Sequence, residues 1–133
     1  MEPISKDTRP EDLHEFLSEI GYTCGEISDR GFVISMRNVK TTLRMMQSGN
    51  ILFMLHMRVK EGMSELELLR KINVLNFKIT SGTLCLRENN IAYCFTLIAP
   101  YGMGGKGLKS FIDYHMFLIS YMAEDLGLSE ITQ

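Results

Sequence analysis

The chain has no tryptophan and only three prolines, and its three cysteines leave one without a mate. Each shortage removes a class of protein. Cys24, Cys85 and Cys94 form no CxxC pair and are too few for a disulfide framework or a thiolate metal site, which fits a reducing compartment. Met1 to Asp7 lacks a basic stretch followed by an apolar one, so no secretory leader is read there. The longest uncharged run, Asn89 to Gly105, is interrupted by Pro100 and three glycines and is too short to span a bilayer. Basic clusters are missing too. Arg37, Lys40 and Arg44 come nearest to one, and with a net charge of −2 and a pI near 5.9 there is no electrostatic case for nucleic acid. These absences point to a soluble protein of a reducing, cytoplasmic compartment that touches neither membrane nor nucleic acid.

What remains is an ordinary globular composition, 45% hydrophobic and 23% charged over 133 residues. A chain of that size buries roughly two thirds of its unfolded surface around one core, so residues 1–133 are read as a single domain. The ten methionines, Met45, Met46, Met54 and Met57 among them, are read mainly as fillers of an irregular core.

Periodicity gives the elements. Thr8-Arg9-Pro10-Glu11 has the form of a capping box ahead of a short helix carrying Leu13, Phe16, Leu17 and Ile20, which Gly21 ends. Between Tyr22 and Val59 the pattern turns to three or four β runs, the first of them weak. Phe32, Ile34 and Met36 alternate with Val33, Ser35 and Arg37, whereas Ile51 to Met57 is almost continuously apolar, as a central strand covered on both faces would be. Ser64 to Glu67 is a second capping box, opening a helix with Leu68, Leu69, Ile72 and Leu75 on one face. Ile79 to Arg87 and Ile91 to Ala99 form a hairpin about Asn89-Asn90, a register that sets Cys85 opposite Cys94 as buried thiols within reach of each other. A glycine-rich loop and a helix from about Leu108 to Leu126, stopped by Gly127, complete an α-β-β-β-α-β-β-α order. The fold class is α+β, with an antiparallel sheet packed against helices.

Chemistry is hard to find in this order. Gly102-Met103-Gly104-Gly105-Lys106-Gly107 satisfies G-x-G-x-x-G and opens a helix, so Gly104, Gly105, Lys106 and Gly107 are the candidate anion site of an alternative reading as a small-ligand domain. No parallel strand follows that helix, and Leu108 and Lys109 stand where a P-loop needs Lys and Ser or Thr, so a loop leading into the helix is the simpler reading. His14, His56 and His115 lie on three different elements with no ligand spacing. No G-x-S-x-G and no cysteine in a catalytic setting is present, and Glu65/Glu67 and Glu124/Asp125 sit at helix ends. No catalytic residue, metal or cofactor is expected.

The last helix carries more information. Leu108, Phe111, Ile112, His115, Met116, Leu118, Ile119, Met122 and Leu126 cover one broad arc. Tyr114, Phe117 and Tyr121 form a second stripe on the far side, flanked by Asp113, Glu124 and Asp125. An aromatic patch rimmed by polar groups marks a contact site, so Tyr114, Phe117, Tyr121 and the adjoining Leu118 are the candidate partner-binding residues.

The element order resembles that of type III secretion chaperones and of the related YbjN family, whose members are named as candidate regulators of bacterial sensory transduction. Leu68 to Phe77 looks like that family's helix ending in Ile-Asn-x-x-Asn, here Ile72-Asn73-Val74-Leu75-Asn76, and the likeness runs from about Pro10 to Leu126. Asn73 and Asn76 fall near the apolar face of their helix and are expected to hydrogen-bond strand or loop backbone. The resemblance implies a homodimer with chaperone-like or regulatory binding and no catalytic residues. Dedicated secretion chaperones tend to be more acidic than this chain, which favours the YbjN-like reading.

Overall fold

A computed structural model describes every residue except Arg37 and the side chain of Met36, so the expected alternation at Met36 and Arg37, and the grouping of Arg37 with Lys40 and Arg44, lie outside the described residues. Arg44 forms an exposed ion pair with Asp29. The elements are α1 (Pro10–Glu19), β1 (Thr23–Cys24), β2 (Gly31–Met36), β3 (Val39–Met45), β4 (Ile51–Arg58), α2 (Glu65–Lys78), β5 (Thr83–Arg87), β6 (Asn90–Leu97) and α3 (Gly105–Asp125), followed by a 3-10 turn at Leu128–Glu130. The strands make one antiparallel six-stranded sheet in the order β1-β2-β3-β4-β6-β5. This is the expected α+β class, with a two-residue β1 as the weak first strand.

Contacts divide the chain into two compact units, Met1–Met54 with Thr96–Phe111, and Leu55–Phe95 with Ile112–Gln133. In the first, Phe32, Leu43 and Phe53 stand in register across β2, β3 and β4, and all three are buried. Ile34, Met45 and Ile51 are also buried, whereas Val33, Thr42 and Arg44 are exposed. Leu52 and Met54 are half-buried, so the apolar run of β4 is covered fully on one face, not on both. Leu13 and Leu17 of α1 are fully buried, and the ring of His14 meets Phe32 edge-on at 5.0 Å while its Nε2 donates to the Gly25 carbonyl at 3.0 Å.

The entrance to α1 differs from expectation by one residue. Arg9 precedes the helix, and its backbone N–H donates to the Asp12 carboxylate at 2.8 Å, while the Thr8 hydroxyl accepts from the Ser5 N–H. Pro10 fixes φ for the first helical position and therefore starts the helix at itself, which shifts the box from Thr8/Glu11 to Arg9/Asp12.

In the second unit α2 begins as expected, with the Ser64 hydroxyl accepting from the Glu67 N–H at 3.2 Å. Leu68, Ile72 and Leu75 are buried, but Leu69 is exposed, because it lies about 100° from Leu68 toward the outer side. The β5–β6 hairpin pairs Arg87 with Asn90, so its turn is Glu88-Asn89 rather than Asn89-Asn90. Cys85 therefore faces Ala92, and Cys94 faces Thr83. The two thiols are half-buried diagonal neighbours, both free. The residues after α3 add a feature that periodicity did not reveal: Thr132 bridges Val59, Lys60 N–H donates to the Ile131 carbonyl at 2.9 Å, and Leu128 and Ile131 are buried.

Candidate protein-interaction surface

The carboxy-terminal part of α3, within the second unit, has two sides. Ile112, His115, Ile119 and Met122 face inward and are buried. On the other side Tyr114, Phe117 and Tyr121 keep 45%, 66% and 41% of their surface exposed. Leu118, grouped with these rings from the sequence, is only 6% exposed and so belongs to the core side of the helix. On the helix it lies about 40° from Tyr114 and about 40° from the buried Met122, at the edge where the exposed face turns inward.

The rings are held in place. Phe117 and Tyr121, one turn apart, stack with centroids 6.4 Å apart and planes 15° from parallel. The Tyr114 hydroxyl lies 2.6 Å from Thr80 Oγ1, in the loop between α2 and β5, and its ring meets His115 at right angles. His115 is 2% exposed, stacked on Phe95 at 4.2 Å, with Nε2 2.8 Å from Ser81 Oγ. Tyr93 is fully buried and its hydroxyl donates to the Ser81 carbonyl at 2.8 Å. Burial pushes the Tyr93 phenol well above its ordinary value, with the Tyr114 hydroxyl adding to the effect. Gly82, at φ +80°, completes the loop, since a Cβ there would lie 2.5 Å from the Tyr93 ring. The Ser81–His115 pair joins residues 34 apart, and no local spacing announces it. The pair ties α3 to the loop between α2 and β5 that also carries Thr80, the partner of Tyr114.

The other candidates go to separate places. In the first unit the glycine-rich loop is fastened by Ile4, whose N–H donates to the Met103 carbonyl and whose carbonyl accepts from the Gly102 N–H, both at 2.7 Å. A Cβ on Gly105 would fall 2.6 Å from the Phe16 ring, and one on Gly107 would fall 2.9 Å from Met103 Cγ. Close packing thus accounts for these two glycines, α3 starts at Gly105 rather than near Leu108, and Lys106 is exposed. Of the two motif asparagines, Asn76 uses its amide to donate to the Leu84 carbonyl at 2.9 Å and to accept from the Leu84 N–H at 2.8 Å. Asn73 is exposed, contrary to expectation, because three residues turn it about 60° away from Asn76 and off the buried side. Among the described residues no group of three His, Cys, Asp or Glu could hold a metal ion, and no helix is long and apolar enough to cross a membrane.

A second apolar stripe, which the sequence reading missed, lies on α2, where Leu66, Leu69, Val74 and Phe77 are exposed. Its signal was available in the spacing of Leu66, Leu69 and Phe77, but Leu69 had been assigned to the buried face.

No family model matches the chain, and no curated protein does. Among solved structures, the crystal structure of YbjN from E. coli superposes with a TM-score of 0.73 at 14% identity, covering 92% of this chain and 94% of that one. The fold is that of YbjN. That protein is described as a candidate transcription regulator, and at this identity the likeness to YbjN fixes architecture alone.

Proposed function

We propose that the chain is a non-catalytic protein-interaction module, chaperone-like or regulatory, that works as a homodimer in the bacterial cytoplasm and receives a protein partner on the outer face of α3. The observation that carries this reading is the stacked, exposed Phe117–Tyr121 pair with Tyr114 one turn before it. Water gains nothing from these rings, whereas burying each against a partner stabilises by about 1.5–3 kcal/mol. Rings already stacked, with Tyr114 hydrogen-bonded to Thr80, lose little side-chain entropy on binding. The description of YbjN as a candidate regulator is consistent with a regulatory or interaction role. No comparable observation favours the anion reading, because Gly105 and Gly107 have packing reasons to be glycine.

Affinity capture from the native cell, comparing the wild type with Phe117→Asp/Tyr121→Asp, tests the proposal. A partner retained by the wild type and lost by the variant, with the melting temperature unchanged, is the expected result. A partner profile identical for both proteins would remove α3 as the binding face.

A further inference from the structure

We propose that Cys85 and Cys94 are a reversible redox pair, a modification site at which a hydroperoxide closes a disulfide between β5 and β6 and a small thiol reopens it. Alternation along the hairpin sets Leu84 and Tyr93 into the core and turns Thr83, Cys85, Arg87, Ala92 and Cys94 to the other face. Thr83 and Arg87 are exposed there and both cysteines are half-buried, so a molecule as small as hydrogen peroxide can reach the sulfurs. Ala92, directly across from Cys85, brings only a methyl to the space between the strands, and the two thiols meet along the diagonal in a hydrogen bond. Cys24, on β1, instead has the His14 and Tyr22 carbonyl oxygens as neighbours, each 3.9 Å from its sulfur.

The chemistry has an order. Burial, and then the neighbouring Cys85 thiol, hold Cys94 above the ordinary thiol range, and the Arg87 guanidinium opposes them only in part. The thiolate is the form that reacts, so Cys85, on the edge strand, attacks first. Its sulfur takes one oxygen of the peroxide, the O–O bond breaks, and hydroxide leaves with the Cys85 proton as water, giving a sulfenic acid on Cys85. The Cys94 sulfur then attacks the Cys85 sulfur, the S–O bond breaks, and the Cys94 proton departs with the hydroxide as a second water. Each sulfur is oxidised by one electron, and the peroxide takes up both. Geometry makes the product labile. Diagonal Cα atoms of an antiparallel pair lie about 7–8 Å apart, beyond the roughly 4.4–6.8 Å that a relaxed disulfide spans. Closure therefore draws β5 inward against the two bonds by which Asn76 holds Leu84. A strained bond of this kind is readily reduced, which is the behaviour of a switch and not of a structural cross-link.

Mass spectrometry of the folded full chain after stoichiometric hydrogen peroxide tests this. The expected product lacks two hydrogens, yields a linked Cys85–Cys94 peptide, keeps Cys24 free, and returns to its starting mass with glutathione. In Cys94→Ser the second step cannot occur, and dimedone is expected to trap a sulfenic acid at Cys85. Cys85→Ser is expected to react at Cys94 about tenfold more slowly, or less. A disulfide that includes Cys24, a bond between two copies, or a chain that keeps all its thiols would overturn the pair. Equal trapping at Cys94 in Cys85→Ser would overturn the order of attack, and a bond that survives glutathione would overturn its role as a switch.

Discussion

Asn76 shows how one side chain can take the place of a strand. Its amide meets the N–H and C=O of Leu84 on the edge strand β5 at 2.8 and 2.9 Å, so both outward backbone groups are satisfied without a further strand. Asn76→Leu removes both bonds and leaves two polar groups facing an apolar side chain, and is expected to cost about 1–3 kcal/mol in urea unfolding. Asn73→Ala, at an exposed site, is expected to stay within about 0.5 kcal/mol. Equal losses at the two positions would show that the Leu84 contact is not what stabilises this end of β5. The Asn-x-x-Asn spacing was legible in the sequence, and so was the structural role of its second member. The turn of the neighbouring hairpin was not. Glu88 takes the left-handed conformation at φ 54°, a conformation that Asn adopts more readily than Glu, so residue preference placed the turn one position late. That slip moved Cys85 from Ala92 to Cys94.

Elements were read best where a side chain caps a backbone group. Ser64 and Glu67 fixed the start of α2, whereas the start of α3 was set three residues late because glycine has low helix propensity. Gly105 is helical all the same, at a position where a Cβ would meet the Phe16 ring at 2.6 Å. The segment Leu128 to Thr132 is too short for any period to register, yet its backbone pairs with Lys60, just beyond the end of β4, and its Ile131 is fully buried. Ile131→Ala is therefore expected to cost about 2–4 kcal/mol, as a core truncation does, and to speed amide exchange at Lys60. Ser129→Ala, two residues away on the exposed side, provides the comparison and is expected to lose only the 2.7 Å bond to the Ala123 carbonyl, about 1 kcal/mol. Similar small losses for both would mean that the tail does not fold with the unit.

Across the whole molecule the element order could be read, but the order of strands in the sheet could not. Placing β6 beside β4, with β5 outside, depends on how the α2 crossover returns the hairpin, and local pattern is silent about that. The same burial that makes β6 an inner strand sets the molecule's alkaline limit. Burial raises the Tyr93 phenol and also the Cys94 thiol, the latter with a smaller contribution from Cys85. Below the ordinary thiol value of about 8.5 both groups are protonated in the folded and unfolded chains, and their contribution to stability is complete. As pH rises past about 8.5 for Cys94 and about 10 for Tyr93, the unfolded chain releases protons that the folded one keeps, and stability falls. Asp12 acts in the opposite sense, its carboxylate held low chiefly by the Arg9 N–H, so its contribution disappears in acid. Melting temperature is thus expected to hold near neutrality and to decline in two steps on the alkaline side. Cys94→Ala should remove the earlier step and Tyr93→Phe the later one, although Tyr93→Phe starts from a lower plateau through loss of the bond to Ser81. An alkaline decline identical in wild type and Tyr93→Phe would show that the phenol titrates alike in both states and that its burial does not govern the limit.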